Sequence, residues 1–349
     1  MILPPALRGG PRGGQLMSQL DVTLRDIYRA RRRISPIATR TPLLRSPALA
    51  ERIGASVHLK AENLQRTRSF KVRGAANKML ALTPGERERG VVTVSSGNHG
   101  RAVSYVAGQL GVHAVVCLSG RVPANKVEAI ERLGAEVVVH GQSYEEAEVH
   151  ALRLRDERGL TMIEPFDDPL VIAGQGTIGL EVLEDLPDVD AILVPLSGGG
   201  LISGVALAMK AADPAIRTIG VSMERAPVMV HSLRAGAPVD LEEQDTLADA
   251  LAGNIGLDNR YTFRMVQQYV DDLALVSEEE IARAMAFALR EHHLVVEGGG
   301  AVGVAALLAG EVRGVGRNVV VVVSGGNVSM PLLLGIALGL NKQGGQRRR

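Results

Sequence analysis

Cysteine is almost missing: the 349-residue chain has one, Cys117. No intramolecular disulfide can form, which excludes a disulfide framework and suits a reducing compartment. Cys117 lies inside the apolar run Val115-Val116-Cys117-Leu118 and reads as a small core hydrophobe before it reads as a catalytic thiol. An excess of one charge is missing as well. Lys and Arg number 39 against 38 Asp and Glu, a formal net charge of +1, so no global field recruits nucleic acid or an anionic membrane. The short basic run near the end, Arg347-Arg348-Arg349, reads as a solvated tail. Long apolar stretches are absent, since Val319 to Val323 and Leu332 to Leu340 are too short or too glycine-interrupted to span a bilayer. Met1 to Gln15 is rich in Pro, Gly and Arg and lacks the apolar stretch of a secretory signal. Residues 1–20 are therefore expected to be a lead-in without fixed structure, and the protein to be cytoplasmic. No fixed-period repeat is present. His113, His140, His292 and His293 show no paired ligand spacing, so no metal site is expected from them.

What is present is the composition of a soluble globular enzyme, 46% hydrophobic and 22% charged. From about Asp21 the chain alternates short β-branched runs with longer amphipathic segments, the pattern of an α/β protein with open, twisted parallel sheets covered by helices on both faces. Strands are predicted at Ser56 to Lys60, Val91 to Val94, Ala114 to Leu118, Glu136 to His140, Ala191 to Leu196, Arg217 to Val221 and Asn318 to Val323. Several are apolar at every residue, as burial on both faces requires. Helices are predicted at Ser69 to Ala81, Gly97 to Leu110, Ala124 to Leu133, Tyr144 to Arg158, Gln175 to Leu186, Leu201 to Ala212 and Glu278 to Glu291. The last opens on Ser277-Glu278-Glu279-Glu280, a capping-box pattern. Residues 90–160 are expected to form a small lobe, and 21–89 with 161–340 a large one, with the ligand between them and a tail at 341–349.

Four segments carry the chemistry. In Ser69-Phe70-Lys71-Val72-Arg73-Gly74-Ala75 a lysine falls in the first turn of a helix beside a phenylalanine. The helix dipole and partial burial both disfavour a cation there, which lowers the amine pKa as condensation with an aldehyde requires. Ser95-Ser96-Gly97-Asn98-His99-Gly100 follows a strand; its small residues let backbone approach a ligand, and Asn98 offers donors and acceptors to a hydroxylated ring. Ser197-Gly198-Gly199-Gly200-Leu201 suits a phosphate dianion held by successive backbone N–H groups and a helix start. It is neither a P-loop nor a dinucleotide fingerprint, so a phosphate without a nucleotide is the better reading. Ser324-Gly325-Gly326-Asn327 puts a hydroxyl at the C-terminal end of a strand, where open sheets bind ligands. Taken singly, each segment also has a plainer reading: a surface lysine, an N-cap, a turn.

With the four in this order, the chain resembles the fold-type II pyridoxal-phosphate enzymes, of tryptophan-synthase-β-like architecture, in the threonine/serine dehydratase and serine racemase branch. The resemblance runs from about Asp21 to Leu340. It implies a Schiff base between Lys71 and pyridoxal 5'-phosphate, with Phe70 packing beside it and Asn98 on the ring hydroxyl. It implies a phosphate held by Gly198, Gly199, Gly200 and Leu201, and a pyridine nitrogen met by Ser324. The substrate carboxylate falls to Ser95, Ser96, Gly97, Asn98 and His99. The resemblance implies that Lys71 removes the α-proton of a β-hydroxy-α-amino acid, which leaves as a 2-oxo acid or enamine and ammonia. A neutral Ser324 hydroxyl does not force protonation of the pyridine, a tuning that favours elimination over transamination. Ser96 is open to two readings, a carboxylate or turn residue, or the group that reprotonates the α-carbon in a racemase. A β-replacement synthase fits less well, because its loop usually reads S-G-N-T-G. Outside this class, the alternative is a glycine-rich nucleotide-binding or regulatory protein without catalysis.

The chain departs from the family pattern at two places. Arg68 stands where a glycine is usual, which narrows the site or reaches a substrate carboxylate. Ser222 stands where dehydratases with a divalent cation carry an acid, so no metal is expected there, with Glu224 as the one displaced candidate. The run Leu251 to Phe263 with Val221 to Arg225 is similar to hydroxyectoine-utilisation dehydratases, which implies a substrate derived from hydroxyectoine. The resemblance implies a homodimer. The chain leaves little beyond Leu340, so feedback inhibition through a C-terminal regulatory domain is not expected.

Overall fold

The apolar runs become the strands of two sheets in the computed structural model, which describes residues 22–340. The expectations for residues 1–20 and for 341–349, Arg347 to Arg349 included, lie outside the described residues. The larger sheet has the order β1 (Leu43–Arg45), β2 (Ser56–Ala61), β10 (Asn318–Val323), β7 (Ala191–Pro195), β8 (Arg217–Met223), β9 (Asp272–Val276). The smaller has the order β5 (Glu136–Val139), β4 (Ala114–Leu118), β3 (Val91–Val94), β6 (Thr161–Met162). All neighbours run parallel except β1, which pairs antiparallel with β2 so that Leu44 faces Leu59.

The helices in chain order are α1 (Leu24–Ile34), α2 (Pro47–Ile53), α3 (Lys71–Leu80), α4 (Pro84–Arg89), α5 (Asn98–Leu110), α6 (Ala124–Glu131) and α7 (Tyr144–Arg158). They continue with α8 (Pro169–Asp185), α9 (Gly200–Ala212), α10 (Val228–Ala235), α11 (Thr262–Tyr269), α12 (Glu278–His292), α13 (Gly298–Ala309) and α14 (Met330–Ala337). Among the described residues no helix is long and apolar enough to cross a membrane.

Strand β10 shows why the sheet is covered on both sides. Val319, Val321 and Val323 pack with α12 and α13, while Val320 and Val322 pack with α9, α10 and α11. A run of five valines satisfies both faces at once. In the smaller sheet Cys117 is fully buried, flanked by Val94 of β3 and Val138 of β5. Helices α8 and α9 meet backbone to backbone: a Cβ at Gly204 would lie 2.5 Å from the Gly176 nitrogen.

Differences from the sequence expectations have local causes. Helix α3 starts at Lys71, because Ser69 is bridged to Gly325 and the Phe70 N–H donates to the Ser324 carbonyl at 3.0 Å. Helix α8 begins at Pro169, well before Gln175, because Asp168 caps it, accepting the Leu170 and Val171 N–H groups at 2.8 and 3.0 Å. The Ser277–Glu280 capping box forms with both of its hydrogen bonds. Strands β1, β6 and β9 were not predicted; the first two are too short to show periodicity, and β9 lies at the sheet edge.

Candidate active site

Four loops converge where parallel strands end. Lys71, the first residue of α3, follows β2; its Nζ donates to the Pro165 carbonyl at 2.7 Å and lies 5.3 Å from the centre of the Phe70 ring. Burial pushes the amine down to about 8. The segment after β10 is stitched to the lysine loop: besides the Phe70–Ser324 bond, the Gly326 N–H donates to the Arg68 carbonyl at 2.9 Å. Arg68 is exposed and holds a left-handed backbone, φ 58°, at the position where the family pattern has glycine. Burial and the nearby Arg68 charge lower the pKa of Arg101, in the first turns of α5.

Asn98 opens α5, with Gly97 as its N-cap. Its Nδ2 donates to Glu297 Oε1 at 2.6 Å, and its Oδ1 accepts from Asn327 Nδ2 at 2.6 Å. Asn327 also donates its backbone N–H to Glu297 Oε2 at 3.0 Å and its Nδ2 to the Thr67 carbonyl at 2.9 Å. Burial pushes the Glu297 carboxyl up to about 7, against the Asn98 hydrogen bond that lowers it. The Ser324 side chain is buried, its hydroxyl donating to the Gly299 carbonyl at 3.4 Å.

Of the residues assigned to the substrate, Ser95 accepts the Gly97 N–H at 3.2 Å, tightening the turn. The Ser96 hydroxyl has no hydrogen-bond partner among the described residues and is half-buried. The His99 ring is committed to protein, with Nε2 donating to the Ile163 carbonyl at 2.8 Å; a carbonyl only accepts, so Nε2 carries the proton. Burial and then the Lys71 charge hold that imidazole neutral, down to about 3.

The glycine loop follows β7 and enters α9 through Gly199, φ 87°, a conformation that favours glycine. Among the described residues no side chain caps the α9 N-terminus. Those first-turn amides suit a phosphate. Pyridoxal phosphate thus finds a set of groups that fit it: a desolvated primary amine, a buried hydroxyl at a strand end, and an uncapped helix start. Leu201, in the same turn, is buried.

Behind Lys71 lies a buried ionic network that sequence reading did not find. Arg73 grips Glu62 with Nε and Nη2, each at 2.8 Å, and Glu181 with Nη1 at 2.6 Å and Nη2 at 2.8 Å. Lys60 Nζ donates to Glu181 Oε2 and to the Thr41 carbonyl, both at 2.6 Å. Burial opposes ionisation of Glu62, but the Arg73 charge and hydrogen bonds, with Thr41 and Lys60, hold it below the usual carboxylate range. Burial opposes the Arg73 charge too, and Glu62 and Glu181 outweigh it, so Arg73 is raised. Residues 71 and 73 point to different sides of a helix, so this network holds α3 from behind the reactive amine. Glu297, Asn327 and Pro165 also escaped selection as site residues. The polar residue before three glycines, and the proline between β6 and α8, were the available signals.

The family profile "Pyridoxal-phosphate dependent enzyme" matches residues 34–325. An L-threonine ammonia-lyase of Thermotoga maritima is 45% identical over 312 residues, 89% of this chain and 77% of that protein. A catabolic L-threonine dehydratase of Escherichia coli is 41% identical over 313 residues, 89% of this chain and 94% of the relative. Maize serine racemase superposes with a TM-score of 0.85 at 36% identity, covering 93% of this chain and 98% of the racemase. The chain belongs to the pyridoxal-phosphate-dependent enzyme family. Within it the chain is a fold-type II enzyme of the dehydratase branch, a lyase whose cofactor is pyridoxal phosphate.

Proposed function

We propose that the protein is an ammonia-lyase that dehydrates a β-hydroxy-α-amino acid of the threonine/serine type. The observation that carries this is Lys71, a desolvated amine pushed down to about 8, beside Phe70, whose backbone N–H donates to the Ser324 carbonyl. The threonine ammonia-lyase and dehydratase relatives support the substrate class.

The bound cofactor supplies a carbonyl for imine formation and an electron sink for the α-carbon. The protein's own groups do the rest. Lys71 Nζ would hold the cofactor through its carbonyl and, as the free amine, would take the α-proton, which leaves with the β-hydroxyl as water. The amides of Gly198, Gly199, Gly200 and Leu201 would hold the phosphate, Asn98 would meet the ring hydroxyl, and Ser324 would offer a neutral hydroxyl to the pyridine nitrogen. Ser95, Ser96 and the turn amides through Asn98 and His99 bind the substrate carboxylate; the His99 ring, engaged with Ile163, acts as a support for that turn. These groups lie between a large lobe, 21–89 with 161–340, and a small one, 90–160. The protein works as a cytoplasmic homodimer on an amino acid.

A racemase is the second reading, favoured by the Ser96 hydroxyl, unpartnered among the described residues, and by the likeness to maize serine racemase. Chiral analysis of serine after incubation separates the two, since a lyase yields 2-oxo acid and no D-serine. The run 251–263 suggests a finer substrate, a hydroxyectoine-derived hydroxy-diaminobutyrate. Fast turnover of threonine with none of that compound removes it. The test of the whole reading is borohydride reduction of the yellow protein followed by peptide mapping. A cofactor mass on Lys71 is expected; a colourless protein that ignores added pyridoxal phosphate refutes it.

A further inference from the structure

The loop at Phe166-Asp167 and the turn Asn259 to Thr262 have no part in the chemistry above, yet both bear on the glycine loop. Asp167 Oδ2 accepts the Arg260 N–H at 2.7 Å, and its Oδ1 accepts the N–H groups of Tyr261 and Thr262, each at 2.9 Å. Asn259 closes the same turn. Its Nδ2 donates to the Ile255 carbonyl at 3.0 Å and to Thr262 Oγ1 at 2.8 Å, and its Oδ1 accepts the Phe263 N–H at 2.9 Å. Thr262, thus fixed, is buried against the glycine loop: a Cβ at Gly199 would lie 2.9 Å from the Thr262 Cβ. Phe166 contacts the same loop elsewhere. A Cβ at Gly198 would lie 2.5 Å from its ring, and one at Gly200 would lie 2.9 Å from its Cα.

Three consecutive glycines have no side chains with which to hold a shape, and their backbone loses the most freedom on ordering. A phosphate cradle works only if its N–H groups stay aimed at one place. The order must therefore come from outside the loop. Phe166 and Asp167 are adjacent, one touching Gly198 and Gly200 directly, the other fixing the turn that backs Gly199. Pro165, one residue earlier, accepts the Lys71 amine, so one short stretch touches both ends of the cofactor's place.

We infer that Phe166 and Asp167, together with the Asn259–Thr262 turn, are positioning residues that set the shape of the phosphate cradle. The inference rests on the assignment of the glycine loop to the cofactor phosphate. It gives the run 251–263 a task independent of substrate identity.

The test uses apoprotein titrated with pyridoxal phosphate and, in parallel, with pyridoxal, which has the aldehyde but no phosphate. Imine absorbance gives affinity for each, and phosphorus NMR follows the bound phosphate. Asp167→Asn keeps the shape but exchanges one acceptor oxygen for a donor amide. It should weaken pyridoxal phosphate by about tenfold or more, the scale of a charge-assisted hydrogen bond, and leave pyridoxal within about twofold. The phosphorus resonance should move. Phe166→Leu, which leaves the Asp167 bonds intact, should give the same selective loss and carries the test if Asp167→Asn does not fold. Unchanged affinity for both aldehydes in the folded variants, or an equal loss for both, overturns the inference. If the unmodified protein binds the two aldehydes alike, or if Gly199→Ala leaves its preference for the phosphate intact, the glycine-loop assignment itself is at fault.

Discussion

Asn98 and Glu297, 199 residues apart in the chain, share a 2.6 Å hydrogen bond between the amide and a buried carboxyl. The carboxyl belongs to the residue before α13, and the amide opens α5. Burial raises Glu297 from an ordinary 4.5 to about 7, so the folded protein prefers the protonated acid. The associated stability is fully present below the ordinary value and falls as pH rises through about 7. Glu297→Gln should abolish that slope. Urea unfolding of the apoprotein across pH 5 to 8 checks it, and an identical slope in both proteins would discard the shifted acid.

Lys71 makes a separate pH prediction. With its amine at about 8 instead of the ordinary 10.5, the reactive neutral form grows in as pH rises through about 8. The rate at which apoprotein takes up pyridoxal phosphate should follow the same midpoint, measured by stopped-flow absorbance. A midpoint near that of free lysine would mean a solvated amine. Lys71→Ala should yield no cofactor fixed by borohydride.

Arg73 is expected to be costly to remove. Arg73→Met leaves Glu62 and Glu181 buried without their fork, and loss of one partner of a buried pair costs about 3–5 kcal/mol. Arg73→Lys keeps the charge but not the planar bidentate geometry, and should fall between. Denaturant unfolding measures both. Stability of Arg73→Met within about 0.5 kcal/mol of the parent, the scale of an ordinary surface change, contradicts the network.

The α8–α9 contact predicts a steric penalty. A Cβ at Gly204 would lie 2.5 Å from the Gly176 nitrogen, so Gly204→Ala must part the helices. Overpacking of this kind costs about 1–3 kcal/mol. The readout is a lowered melting temperature, with cofactor loss following because α9 begins at the glycine loop. An unchanged melting temperature would show that the helices part freely.

Much of this was legible because the signals were local. Val319 to Val323 is an unbroken apolar run closed by Ser-Gly-Gly, and Ser277 with Glu280 spells out a helix start. The lysine and glycine loops stood out because each follows such a strand. Glu297 did not, since its role depends on partners at Asn98 and Asn327 that only the fold brings near. Asp167 was hidden for the same reason, its three N–H donors lying more than ninety residues away. Helix α13 was missed because Gly298-Gly299-Gly300 reads as a turn; burial on all sides leaves it no polar face and hence no amphipathic period. The antiparallel β1 has too few residues to reveal its direction.

Cys117, fully buried in β4, has its thiol pushed up to about 11, by burial and then by Glu136. A thiol so held is a poor nucleophile and invisible to alkylating probes while the strand stays between its two neighbours. Being the sole thiol in the chain, it serves as an internal clock. The speed at which a maleimide finds it counts how often the four-stranded sheet comes apart, and does so without relying on the colour of the cofactor.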